Sequence, residues 1–202
     1  MVLRTHWHFT RGGAAALLIL VVALASCAKK QESTAENTTP PPESSTPPTA
    51  TLTDANIAAI VTAANDVDVK NGEMAKSKTK NTEVRALAEQ MITDHQSVNK
   101  QAKDLVSKLN VTPEDNDVSR HLASSGDSTR DVLKGNDGAA FDKAYVDNEV
   151  AYHQAVIDML NNTLVPNTQN PELKTLLETA KPTFMAHLEH AKKVQADLNK
   201  TP

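Results

Sequence analysis

From residue 53 onward, apolar side chains return at every third or fourth position and almost never at every second. A period near 3.6 keeps one face of a helix apolar, whereas a strand with one buried face needs alternation. Four long stretches carry the helical period. The first runs through Ile57, Ile60, Val61, Ala64, Val67 and Ala75, behind a cap at Thr53 or Asp54. The second runs through Val84, Leu87, Met91, Val98, Ala102, Leu105 and Leu109, behind Asn81 or Thr82. The third shows Phe141, Tyr145, Tyr152, Val156 and Leu160. The fourth shows Leu173, Leu176, Leu177, Ala180, Phe184, Ala191, Val194 and Leu198, and Asn170-Pro171-Glu172 before it is a cap followed by proline at the first helical position. Between the second and third lies a weaker helical segment, Glu114 to Lys134, which starts at Thr112-Pro113-Glu114 and is interrupted by "SSGDS". The stretch "NNTLVPNTQNP" reads as a loop. The expected fold is all-α: an antiparallel four-helix bundle with one extra short helix between helices two and three.

The residues before 53 follow a different rule. "MVLRTHWHFTRGGAAALLILVVALASCAKK" opens with Arg4 and Arg11, continues as an apolar run from Ala14 to Ala23, and reaches Leu24-Ala25-Ser26-Cys27. That is the plan of a secretory signal peptide over residues 1–26, too short in its apolar core to stay as a transmembrane helix. The small residues before Cys27 resemble the lipobox of bacterial lipoproteins, in which the cysteine is lipidated and becomes the new N-terminus. Cys27 is the chain's single cysteine, so it has no internal disulfide partner, and lipidation accounts for its presence. Residues 27–52 then form a tether rich in Pro, Ser, Thr and Glu, a composition that buries too little surface to fold. The folded domain is 53–202. The expected localisation is the cell envelope, anchored to a membrane through lipid and facing the periplasm. Ala28 after Cys27 favours the outer membrane.

Without residues 1–26 the chain keeps 19 basic side chains against 25 acidic ones, a net charge of −6 with histidines neutral. An acidic surface with no basic cluster argues against nucleic acid as a partner. A protein partner is not identified by the sequence.

Polar residues break the apolar stripes at matching places. His95 lies four after Met91 and three before Val98; His153 lies three before Val156; His187 lies three after Phe184; Asp68 lies four after Ala64. Each therefore faces inward from a different long helix. In an up-down-up-down bundle these residues fall about ten to fifteen residues from the paired helix ends, a spread of roughly 7 Å in height at ~1.5 Å per residue. Imidazoles with a carboxylate form a ligand set for one transition-metal ion, Zn, Fe, Cu or Mn. The candidate ligands are His95, His153, His187 and Asp68, with Glu149, one turn before His153, as a possible fifth. Asp94 is placed to orient a neighbouring histidine by accepting a ring N–H. Tyr145 and Tyr152 line the same region. His190 reads as a rim residue and His121 as exposed. The other reading is a non-catalytic structural or interaction module of the envelope whose inward histidines complete a polar core. No nucleophile with a base beside it and no glycine-rich phosphate loop occurs, so no catalytic residue is assigned.

Four blocks, "DVKNGEMA", "VRALAEQMITDH", "GAAFDKAYVDNEVAYH" and "AKPTFMAHLEHA", occur in the order found in a known family. Over about Thr53 to Leu198 the domain resembles the bacterial ferritin-like family of domain of unknown function 4142. The first block carries Asp68 where that family usually has glutamate. The resemblance implies a ferritin-like bundle exported to the envelope, often through a lipoprotein signal, and no known reaction. Di-iron ferritin-like proteins use Glu-x-x-His pairs on two helices. The positions three before His95, His153 and His187 are Ile92, Val150 and Phe184, so a mononuclear, histidine-rich site is expected, in a role of metal storage, sensing or oxidant protection.

Overall fold

The computed structural model describes residues 52–200. Residues 1–51, read above as signal peptide, lipidated Cys27 and tether, and residues 201–202 lie outside the described residues. Five long helices follow one another: α1 (Asp54–Lys78), α2 (Thr82–Lys108), α3 (Asp117–Lys134), α4 (Gly138–Met159) and α5 (Pro171–Leu198). Among the described residues there is no strand, and no helix long and apolar enough to cross a membrane. The all-α bundle expected from the apolar period is the observed fold.

Helix starts are set by side chains that satisfy the free N–H groups of the first turn. Thr53 Oγ1 accepts from Asn56 N at 3.1 Å while Asn56 Oδ1 accepts from Thr53 N at 3.3 Å, a reciprocal capping box. Asn81 Oδ1 accepts from Glu83 N and Val84 N, and Asn170 Oδ1 from Glu172 N and Leu173 N. Cations close the opposite ends. Arg85 donates to the carbonyls of Lys76 and Thr79 at the end of α1, and Lys78 Nζ donates to those of Lys134 and Asn136 at the end of α3.

Three boundaries differ from the sequence reading. α3 starts at Asp117 behind an Asn116 cap, not at Thr112-Pro113-Glu114. Residues 114–116 are instead tied to the first turn of α1: Glu114 N donates to Ala55 O (3.1 Å), Asn56 Nδ2 to Glu114 O (3.2 Å) and Asn116 Nδ2 to Asn56 O (3.1 Å). "SSGDS" does not interrupt α3, which runs through it. Gly126 is there for contact, since a Cβ on it would fall 2.6 Å from Val67 Cγ2 on α1. Finally, "NNTLVPN" is not a loop. α4 passes into a π-helical turn, Leu160–Leu164, and one more helical turn, Val165–Asn167, with Val165 N bonded to Leu160 O. Leu160 and Leu164 are buried, and their packing overrides the weak helical preference of the Asn and Pro residues around them. Pro166 has no N–H to donate and its ring needs room at the preceding turn, which a widened turn provides.

α1 packs along α2, α4 along α5, α3 against α1, and α2 against α5. The link between α4 and α5 is tied to the start of α1 by Asp54, whose carboxylate accepts from Gln169 N and Asn170 N, each at 2.9 Å. Apolar packing forms two clusters rather than one. The first gathers Ile57, Ile60, Val98, Val156, Leu160, Leu177 and Phe184 among others; the second gathers Ala75, Leu87, Met91, Leu133, Phe141, Tyr145 and Val194. Along each long helix except α3 the chain leaves one cluster and enters the other, and the polar residues lie between.

Candidate metal centre

The interval between the two apolar clusters is filled by Asn65, Asp68 and Asn71 from α1, His95 from α2, Glu149 and His153 from α4, and His187 from α5, every one of them buried. Each helix contributes where its stripe changes from one cluster to the next, so the position of the layer follows from the packing above and below it.

Hydrogen-bond acceptors fix the state of each ring. His95 Nδ1 donates to Asn65 Oδ1 at 2.8 Å. His153 Nδ1 donates to the Glu149 carbonyl at 3.0 Å, and His187 Nε2 to Asp94 Oδ2 at 2.8 Å. With those nitrogens carrying the protons of neutral imidazoles, the lone pairs sit on His95 Nε2, His153 Nε2 and His187 Nδ1. His95 Nε2 and His153 Nε2 face each other at 3.4 Å, and Asp68 Oδ2 stands 3.4 Å from the same His95 nitrogen. One ligand atom from each of His95, His153 and His187 lies within 4.8 Å of the others, and the same holds for Asp68, Glu149 and His153. The two sets share His153.

Burial governs the charges. It holds all three imidazoles below their ordinary range, His153 at about 4, with the neighbouring histidines adding to the effect for His95. Burial raises Asp68 well above the usual carboxylate range, assisted by the nearby Glu149, and pushes Glu149 up to about 7. Burial also raises Tyr145 and Tyr152, with the negative charge of Glu149 and Asp68 adding to the effect. Tyr152 finds an acceptor in Ala64 O at 3.1 Å. His187 Nδ1 and the Tyr145 hydroxyl have no hydrogen-bond partner among the protein's own atoms, and the Asp68 and Glu149 carboxyls are close enough to share a proton. Polar atoms in a core are ordinarily paired, so these buried groups make the layer a candidate site for a cation.

The structure brings His95, His153, His187, Asp68 and Glu149 together in the buried layer, with Asp94 partly exposed behind His187. His190 stands at the rim with Nδ1 2.7 Å from Gln90 Oε1, and His121 is exposed. The sequence reading missed Asn65, Asn71 and the stacking of Phe184 on His95, whose ring planes are 6° apart. A spacing of three from Asn65 to Asp68 to Asn71 was the available signal.

Fold and site together define a helical-bundle protein with a buried histidine and carboxylate layer across its middle. The chain belongs to the family described as domain of unknown function (DUF4142), whose model matches residues 38–194. No curated protein matches it. Among solved structures it is similar to a putative secreted protein of the DUF305 type from Streptomyces coelicolor, with a TM-score of 0.62 and 15% identity over 72% of this chain and 93% of that one. It is also similar to CopM in its Cu(II)-bound form, with a TM-score of 0.56 and 20% identity over 72% of this chain and 98% of that one. Its match to CopM in an Ag-bound form obtained by soaking has a TM-score of 0.57 and 20% identity, over 73% and 97% of the two chains. At these identities the likeness is one of fold.

Proposed function

We propose that this chain is a lipid-anchored protein of the bacterial envelope whose ferritin-like bundle binds one transition-metal ion in its polar layer, for storage, sensing or protection from oxidants. The ligands on this reading are His95, His153, His187 and Asp68, with Glu149 beside them. Asp94, Asn65 and the Glu149 carbonyl orient the three rings. The observation that carries it is the 3.4 Å approach of two unprotonated ring nitrogens, His95 Nε2 and His153 Nε2. Two lone pairs facing each other repel unless a cation lies between them, and two nitrogens each ~2.0–2.1 Å from one tetrahedral ion are separated by about 3.3–3.4 Å. That a protein of this fold, CopM, has been seen with Cu(II) and with Ag supports the reading. Anchoring is through Cys27 after removal of residues 1–26, with the bundle in the periplasm and the outer membrane as the expected surface. Binding and delivery of a metal need no catalytic residue.

Two measurements test the proposal. Elemental analysis of the untagged protein, exported and purified without chelator, should give near one equivalent of a transition metal, lost in His95→Gln and His153→Gln. A protein free of metal whose melting temperature ignores added Zn, Cu, Fe and Mn would rule the site out and leave the layer as a structural polar core. Mass spectrometry of the N-terminal peptide should find Cys27 acylated; an unmodified Cys27 in a water-soluble protein would remove the anchor.

A further inference from the structure

We propose that the Asp68–Glu149 pair sets the valence of the metal this layer accepts, favouring a divalent ion over a monovalent one. The proposal rests on the metal reading above and deepens it by naming the class of ion.

The argument begins with the charges present in the layer. Burial disfavours the charged form of all three histidines, and each donates one ring N–H, to Asn65 Oδ1, the Glu149 carbonyl and Asp94 Oδ2 in turn. Asn65, Asn71 and Tyr145 carry no charge. The ion-pair contacts of Asp68 and Glu149 are to His95 and His153 alone, so no lysine or arginine of the described residues compensates either carboxyl. Arg130, which donates to Asn71 Oδ1 at 3.3 Å, is paired with Asp127. Asp68 and Glu149 are fully buried with no lysine or arginine in ion-pair contact, and with His153 they bring one ligand atom each within 4.8 Å of one another.

Burial favours the protonated forms of the metal-free pair, and a cation entering the layer displaces those protons to meet the ionised pair. The effect of that pair on a cation is direct. Coulomb energy scales with the product of the charges, so each carboxylate attracts a divalent ion about twice as strongly as a monovalent ion at the same point. Carboxylate oxygen is also a hard donor that suits divalent ions better than soft monovalent ones. Three imidazoles alone would serve either class. The carboxyl pair is what separates them, and a divalent ion is the charge that neutralises both groups.

The test uses Zn(II) and Ag(I), two ions with filled d shells that differ in charge and undergo no redox change under the conditions of titration. The full chain, extracted in detergent and stripped of metal, is titrated with each ion against a competing chelator, alongside Glu149→Gln and Asp68→Asn. These substitutions keep an oxygen in place and remove the charge. Expected are tighter binding of Zn(II) than of Ag(I) by the unaltered protein, and a loss of Zn(II) affinity in each variant at least tenfold larger than its loss of Ag(I) affinity. Equal losses for the two ions, or no loss for either, would overturn the assignment while leaving the metal site standing. Binding of neither ion by the unaltered protein would instead remove the metal reading itself. Circular dichroism establishes that each variant is folded, and if one is not, the other gives the same comparison.

Discussion

Asn65 does for His95 what Asp94 does for His187: it takes the ring proton on the far side so that the lone pair turns inward. Replacing Asn65 by Ala leaves a buried N–H without an acceptor, a loss of about 1–3 kcal/mol in stability, and frees the ring to change tautomer. Chemical denaturation should show that loss, and competition titration should show metal affinity falling about 10- to 100-fold, the usual effect of removing an orienting partner. An Asn65→Ala protein with unchanged metal affinity would mean that His95 is not a ligand. The three histidines and Asp68 were legible in the sequence because each breaks an apolar stripe whose neighbours fix its direction. Asn65 was not, because an asparagine on a helix is common at the surface and its partner lies 30 residues away. The spacing of three to Asp68 marks its face, but nothing local in the sequence reports the contact itself.

At the scale of elements, the sequence was read well where local chemistry decides and poorly where distant packing does. The caps at Thr53, Asn81 and Asn170 satisfy backbone groups within four residues, so their residue types announce them. The length of α4 depends on where Leu160 and Leu164 bury, and the start of α3 on hydrogen bonds to residues 55 and 56; neither is a property of the segment itself. Gly126 shows the same conflict in a single residue. Glycine within a helix ordinarily costs about 1 kcal/mol relative to alanine, so Gly126→Ala would by propensity stabilise α3. The 2.6 Å approach to Val67 Cγ2 reverses the sign, and the substitution should destabilise the protein by about 1–3 kcal/mol. Thermal or urea unfolding reads the sign directly. Trimming Val67 to Ala in the same chain should recover part of the loss, which a purely local effect on α3 would not allow.

The whole molecule is two apolar clusters with a charged-when-ionised layer between them, and its stability therefore depends on pH in two opposing ways. The histidines are held low when folded, His153 at about 4, but titrate near 6.5 when unfolded. Between these values the unfolded chain binds more protons, so stability is lost as pH falls. Glu149 is raised from 4.5 to about 7, and Asp68 is raised as well. There the folded state keeps protons that the unfolded chain has shed, so stability is lost as pH rises toward 7. Three imidazoles outweigh two carboxyls on the acid side, and the carboxyls act alone above about pH 6.5. The metal-free protein should be most stable near pH 6 to 7, with urea midpoints lower on both sides. A midpoint that climbs steadily from pH 5 to 8 would contradict the buried carboxyls. The layer's height was compatible with the sequence only to within roughly 7 Å. The assembled helices bring the ligand atoms of each set within 4.8 Å of one another, and the packing of the two apolar clusters that sets their height is visible only once the helices are together.

The first turn of α1 is held from two sides, by Asp54 on the backbone of Gln169 and Asn170 and by Ala55 and Asn56 on residues 114 and 116. Mechanically this is a clasp. Tension drawn on the chain from its N-terminal side arrives at residues gripped by two other segments, before it can unwind a helix. The layer begins at Asn65, about three turns further along, so a bundle hung by that end would swing and be pulled without the load reaching the histidines.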